Sequence, residues 1–218
     1  MSDTVLQIYG PDFSNFVRSV ALVCEEKQVP YQTGFNVHGE KVEYKSEQHL
    51  QLHPFGKLPI LIHNDLVLPE TASICRYIDA NFTGVKLQPE SAQSKADHDA
   101  LCAIISIDID KAIVRDYLLE FVFPKGENAT PRMDMIEQAK PQVIAALSVL
   151  SKEIKQRKLL GSTQLSIADA LIAPMIHYLS CLPAPLNLLI QFPDIEAYLA
   201  HLMTHASCQK ILVAKDLV

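Results

Sequence analysis

Tryptophan is absent from this chain, glycine occurs only 7 times, and no two cysteines stand in a CxxC spacing. Without Trp and with so little glycine, low-complexity and all-β readings are unattractive. The five cysteines, Cys24, Cys75, Cys102, Cys181 and Cys208, are odd in number and widely spaced. Reduced thiols in a cytoplasmic protein account for them more simply than a disulfide framework or a zinc site. No block of basic residues occurs and the net charge is −6. That argues against nucleic acid and anionic membrane surfaces as partners. No apolar run approaches the roughly 20 residues of a membrane span. The opening Met1-Ser2-Asp3-Thr4 lacks the basic-then-apolar pattern of a signal peptide.

What is present is apolar bulk: 49% of the 218 residues, ample for one large or two small cores. Val5–Tyr9 reads as a short buried strand that Gly10-Pro11-Asp12 breaks. Ser14 is placed to cap a helix with the apolar face Val17, Val20, Ala21 and Cys24, ending before Val29-Pro30. Tyr31–Val37 reads as a second strand. A helix between two such strands implies a βαβ unit with parallel pairing. A polar loop, His38–Ser46, follows.

Leu52–Ile62 and Leu66–Ile74 organise the chemistry. His53-Pro54-Phe55-Gly56-Lys57-Leu58-Pro59 is a turn feeding the apolar strand Ile60-Leu61-Ile62. Pro59 donates no ladder hydrogen bond, and a cis bond suits its place at a strand entrance. The backbone of Leu58 is then free to pair with a ligand lying like an added strand. Leu66-Val67-Leu68-Pro69 is another strand, and Thr71 opens a helix through Ile74, Cys75, Tyr77 and Ile78. The Thr71 N–H and the helix dipole make a carboxylate site. Together these features describe a pocket for a small acidic peptide.

Beyond residues 83–89, which read as a linker, the pattern turns helical. Leu101, Ile104, Ile105, Ile109, Ala112 and Ile113 keep the 3.6 period, as do Val143, Ala146, Leu147, Leu150 and Ile154. A kink is expected at Pro141, and Thr130-Pro131 suits the start of that second helix. Ser166-Ile167-Ala168-Asp169 has the form of a capping box opening a helix over Ala170–Leu179, with Leu165 in the staple position. Phe192-Pro193-Asp194-Ile195 opens a late helix over Glu196–Thr204.

His53–Pro59, with Glu70-Thr71-Ala72-Ser73-Ile74-Cys75-Arg76-Tyr77-Ile78, resembles the glutathione-binding half of the glutathione transferase family. The resemblance runs along almost the whole chain. It implies a thioredoxin-like domain at 1–82 and an all-helical domain at 90–218, with glutathione as co-substrate, no metal, and a homodimer. The activity implied is conjugation of glutathione to a small hydrophobic electrophile. In the family the proline is cis, the residue before it holds the cysteinyl backbone of glutathione, and the Glu-Ser/Thr pair holds the γ-glutamyl carboxylate. Leu58, Pro59, Glu70 and Thr71 carry those roles over. Lys57 stands where glutamine is commoner and can contact the glycyl carboxylate. Lys45 aligns with the lysine of a His-Lys pair that does the same, while Tyr44 replaces the histidine. Ser166–Asp169 resembles the family's capping box. The family usually has an aromatic near Tyr198, and an arginine-proline where His205-Ala206 stand.

Glutathione chemistry needs the thiolate, so the protein must stabilise a sulfur anion. A hydroxyl at a helix N-terminus can donate to it with the dipole assisting. A hydrogen bond to a charged group contributes roughly 1.5–3 kcal/mol, about one to two pKa units. Ser14 stands at such a place. Gly10–Arg18 resembles the Gly-x-Pro-x-Ser-x-x-x-Arg pattern of serine-type members, with Pro11 one position early. A bare N-cap is the plainer role for Ser14. Tyr9, at the end of the first strand, is the rival donor, and Asn15 a further one. The electrophile is expected between Phe13 and inward residues of the first long helix, with Tyr117 as a polar candidate. Asp97, Asp99 and Asp108 are eligible to reach a second subunit's γ-glutamyl amine. The pairs His49/His53 and His201/His205 have helical i,i+4 spacing without a third metal ligand, and read as surface histidines. Cys24, deep inside its helix, reads as a core thiol. Two other readings use the same residues: a glutathione-dependent peroxidase or reductase, and a non-catalytic assembly module. An intact peptide pocket disfavours the module.

Overall fold

The computed structural model describes residues 5–156 and 160–214. The chain divides into two units, Met1–Pro89 and Glu90–Val218. In the first, a four-stranded sheet has the order β2-β1-β5-β6. Strands β1 (Leu6–Tyr9) and β2 (Tyr31–Gly34) run parallel, with Leu6 opposite Tyr31. Helix α1 (Asn15–Lys27) crosses between them, burying Val17, Val20, Ala21 and Cys24. Strand β5 (Ile60–His63) is antiparallel to β1, and β6 (Leu66–Pro69) is antiparallel to β5. Helix α3 (Thr71–Asn81) closes the unit and packs on α1. This is the thioredoxin-like arrangement.

Two expectations about the middle of this unit are corrected. The strand over Tyr31–Val37 breaks at Gly34, which adopts φ +137°, a conformation that glycine tolerates and other residues rarely do. Gly34 bridges Gly10, and the chain then forms a small hairpin, β3 (Asn36–Val37) with β4 (Glu40–Lys41). The expected polar loop, His38–Ser46, thus contains a strand, β4, and it ends at Ser46, which accepts the His49 N–H and caps a short helix, α2 (Glu47–Leu52).

One buried ion pair ties this unit together. The Lys27 ammonium, fully buried, lies 3.1 Å from Asp79 Oδ1 and also donates to the carbonyls of Asp79 and Val85. The same carboxylate accepts from the Leu87 N–H and from Gln88 Nε2, each at 3.0 Å. Burial alone would push the Asp79 carboxyl up. The hydrogen bonds from Gln88, Leu87 and Lys27 outweigh it and hold the group below its ordinary value.

The second unit is helical. Helix α4 (Ala92–Ile104) runs into a π-helical stretch, Ile105–Leu118, and a last α-turn, α5 (Leu119–Val122). Helix α6 (Met133–Gln156) continues through Pro141. Helices α7 (Ile167–Ser180), α8 (Pro193–Leu202) and α9 (Ala206–Ile211) complete it. No described helix is long and apolar enough to cross a membrane. The π stretch was not expected; of the face expected at the 3.6 period Leu101, Ile105, Ile109, Ala112 and Ile113 are buried, and the correction is Ile104, which faces water at 41% exposure. The start of α6 is corrected too. Thr130 donates through its hydroxyl to the Glu127 carbonyl, closing a 3₁₀ turn, so the helix begins after Arg132 rather than at Pro131. Helices α7 and α8 each begin three residues before the expected start.

The capping box at α7 is formed. Ser166 Oγ accepts the Asp169 N–H at 3.2 Å, and Asp169 Oδ2 accepts the Ser166 N–H at 2.8 Å. Asp169 Oδ1 in addition accepts the Gly161 N–H and the hydroxyl of buried Tyr198, so one carboxylate joins α7 to α8. Losing a cap costs about 0.5–2 kcal/mol. Asp169→Ala also strands the Tyr198 hydroxyl, so about 3 kcal/mol or more is expected from urea unfolding. Ser166→Ala should lose only the cap. Equal losses in the two variants would reduce Asp169 to a capping group.

Candidate active site

The first candidate element is the turn from β1 into α1. Gly10 has φ +142°, and a β-carbon there would stand 2.7 Å from Val17 Cγ2 and 3.6 Å from Leu58 Cβ. The clash with Val17 and the positive φ together reserve this position for glycine. The Ser14 N–H donates to the Pro11 carbonyl, and buried Arg18 donates through Nε to the Asp12 carbonyl, which fixes the turn. Ser14 occupies the N-cap of α1 with extended backbone, yet its side chain makes no capping hydrogen bond. The expectation of a side-chain cap is therefore corrected, and the hydroxyl is left unspent. Neighbouring Asn15 has both side-chain amide atoms buried without a partner among the described residues.

The second element is the β5–β6–α3 corner. The Leu58–Pro59 bond is cis. Ladder pairing of β5 begins at Ile60, opposite Tyr9 on one side and Pro69 on the other, so Leu58 stands outside it. Glu70 is the N-cap of α3, with φ 71° and ψ 112°, an unusual backbone for a residue with a β-carbon. Such outliers persist where the surroundings dictate them, often at ligand clamps. Its carboxylate is two-thirds exposed and makes no capping bond. Thr71, the first helical residue, is buried.

Between these elements lie the two lysines, both exposed, and two histidines that the sequence reading placed on the surface. That placement is corrected: His49 is fully buried and His53 is 4% exposed. His53 Nδ1 accepts the Phe55 N–H, and its Nε2 lies 3.6 Å from Glu70 Oε1. His49 accepts the Lys45 N–H and faces the Lys57 carbonyl. Sequence spacing suggested metal binding or nothing. The signal that was missed is that both flank Leu50 and Leu52 on a helix leading into the Pro-Phe-Gly turn.

The remaining candidates scatter. Tyr9 is fully buried, and its hydroxyl donates to the Val42 carbonyl at 3.1 Å. Burial, with Glu43 and Tyr44 adding, pushes its phenol above the ordinary value. Tyr117 is fully buried and donates to the Leu186 carbonyl at 2.7 Å, the bonding of a core tyrosine. Phe13, beside Ser14, is 41% exposed. Burial pushes the Cys24 thiol far up, so it is inert. Among the described residues no three His, Cys, Asp or Glu groups are arranged to hold a metal.

Residues 8–86 match the family model of the glutathione S-transferase N-terminal domain, and residues 114–206 match that of the C-terminal domain. This chain belongs to the glutathione S-transferase family. A probable glutathione S-transferase of rice (Oryza sativa subsp. japonica), GSTF2, is 26% identical over 207 residues, covering 94% of this chain and 95% of the relative. The crystal structure of glutathione transferase F2 from Populus trichocarpa has the same fold, with a TM-score of 0.80 at 21% identity over 95% of this chain and 97% of that one. Maize glutathione S-transferase I, solved with an atrazine glutathione conjugate, superposes with a TM-score of 0.77 at 21% identity, over 95% and 96% of the two chains.

In this transferase, Tyr9→Phe should leave the buried Val42 carbonyl without its donor. A loss of about 1–3 kcal/mol is expected in denaturant unfolding. An unchanged midpoint would mean that water replaces the phenol.

Proposed function

We propose that this glutathione S-transferase joins the thiolate of bound glutathione to a small hydrophobic electrophile, with Ser14 holding the sulfur. The observation that carries the assignment is the division of labour between two hydroxyls. The Ser14 side chain, at the dipole-bearing end of α1, is unspent on capping. The Tyr9 proton is committed to a buried carbonyl. Glutathione lies with its cysteinyl backbone along Leu58 next to Pro59 and its γ-glutamyl end at Glu70 and Thr71, the carboxylate on the Thr71 donors. Its glycyl carboxylate lies toward Lys45 and Lys57. The sulfur lone pair forms the new bond to the electrophilic carbon, and the displaced electron pair leaves with the leaving group or takes a proton from water. Phe13 offers apolar surface beside the sulfur. Tyr117 drops out as an electrophile ligand, because its hydroxyl already serves the core. The reading extends to detoxification by a cytoplasmic homodimer, in keeping with the family. The five cysteines form no disulfide, which suits a reducing compartment.

Ser14→Ala should raise the pKa of bound glutathione by about one to two units, one charge-assisted hydrogen bond's worth. The thiolate absorbance of the binary complex against pH reads it, with Tyr9→Phe as the control that leaves the titration in place. If Tyr9→Phe moves the curve and Ser14→Ala does not, Ser14 is only a helix terminus.

Glu70→Ala should raise KM for glutathione while kcat is largely kept, because Glu70 meets the end of the peptide remote from sulfur. A collapsed kcat at unchanged KM would sink that placement. Failure of the wild type to bind a glutathione column would favour the assembly-module reading instead.

A further inference from the structure

We infer that His49 is a positioning residue that holds the Lys45 turn and the Lys57 loop in register, and through them sets the affinity for the glycyl carboxylate of glutathione. This rests on the glutathione-binding reading above and assigns the part of that site its recognition leaves open.

His49 lies in α2, is fully buried, and touches both lysine segments through its two ring nitrogens. Nδ1 accepts the Lys45 N–H at 2.9 Å, and Nε2 faces the Lys57 carbonyl at 3.2 Å. An N–H on one side and a carbonyl on the other admit one state only: the neutral ring with its proton on Nε2. The ring is also held by its neighbours. Its centroid is 4.9 Å from that of Tyr9 and 5.4 Å from that of Tyr44. A β-carbon on Gly56 would stand 3.9 Å from His49 Cε1 and 3.9 Å from Lys45 Cγ, so the Lys57 loop packs directly on this imidazole. Lys45 itself has φ 63°, a conformation a residue with a β-carbon rarely keeps without help. The hydrogen bond from its own N–H to His49 supplies that help.

The lysine side chains are exposed and long, so their ammonium groups go where their backbones are anchored. Two ammonium groups can converge on one carboxylate only if those anchors keep a fixed separation. A single buried imidazole bonded to both backbones fixes it, and a shift of about 1 Å at either anchor is enough to weaken such a clamp.

The test compares glutathione with γ-glutamylcysteine, which carries the thiol and the γ-glutamyl end but no glycine. Three variants separate the two contacts. His49→Phe keeps the ring and loses both polar contacts. His49→Asn keeps an acceptor near the Nδ1 position, and His49→Gln keeps a donor near Nε2. His49→Phe should raise KM for glutathione about tenfold at nearly constant kcat, and leave KM for γ-glutamylcysteine within about twofold. Asn and Gln should fall between it and the wild type. In a Lys45→Met, Lys57→Met background, His49→Phe should add nothing further. An equal rise for both co-substrates, or a further loss in that background, overturns the inference. A double lysine variant with unchanged KM for glutathione is a different result. It overturns the carboxylate placement under "Proposed function", and this inference with it. Should His49→Phe fail to fold, the same co-substrate comparison on His49→Asn and His49→Gln decides.

Discussion

Lys27 and Asp79 are both removed from water, and neither charge is tolerable there without the other. Breaking such a pair by deleting one partner costs about 3–5 kcal/mol, because the remaining charge stays buried. Here the remaining valences are filled as well: the ammonium has three acceptors, and the carboxylate takes Leu87 and Gln88 besides. The placement matters more than the strength. Lys27 is the last residue of α1, and Asp79 lies near the end of α3. The pair therefore pins the C-terminal ends of the two helices whose N-terminal ends carry Ser14 and Glu70-Thr71. A rigid helix pinned at one end, and set on the sheet along its length, has little freedom at the other. The site is fixed from behind.

The second unit has a comparable device at Asp169. Asp169 is buried, and among the described residues it accepts from two donors of Ser166, one of Gly161 and one of Tyr198. His98 adds to the same helix start by accepting the Ala168 N–H through Nε2. In each unit a buried carboxylate, Asp79 or Asp169, is thus reached by several segments at once. Such a group specifies a unique arrangement more than it adds net stability, since apolar packing alone would leave the segments free to slide.

Legibility in the sequence followed the range of the interaction. The thioredoxin-like order, the helical second unit, the break at Gly10, the capping box and the cis bond before Pro59 all rest on residues close in sequence, and all were readable. The strand over Tyr31–Val37 was overextended because its break depends on Gly34 pairing with Gly10, 24 positions away. The π stretch was missed because the spacing of the apolar residues in Ile105–Leu118 also fits an ordinary helix. His49 and His53 were misplaced for a chemical reason. A histidine on a short helix looks solvated until both of its ring nitrogens have partners, and the Lys57 carbonyl and Glu70 come from elsewhere in the fold. Tyr9 and Tyr117 were candidates by position, and their long-range acceptors, the carbonyls of Val42 and Leu186, could not be inferred from neighbours.

Helix ends in the first unit divide in a way that bears on the sulfur. Helix α2 is capped by Ser46 and has Glu47 in its first turn. Helices α1 and α3 have neither a side-chain capping bond nor an acid inside the first turn. Each helix start has backbone N–H groups without partners and a partial positive charge. Leaving both uncapped forgoes about 0.5–2 kcal/mol at each. Serine at the N-cap of α1 makes this pointed, because the side chain best suited to capping is present and does not cap. Glutathione presents two anions, a thiolate and a γ-glutamyl carboxylate, and each can occupy one of these ends. On the proposed reading the stability withheld at these two ends is recovered on binding, and the thiolate takes a hydrogen bond from the Ser14 hydroxyl together with the field of α1. A capped α1 would fold more tightly and hold the sulfur anion less well.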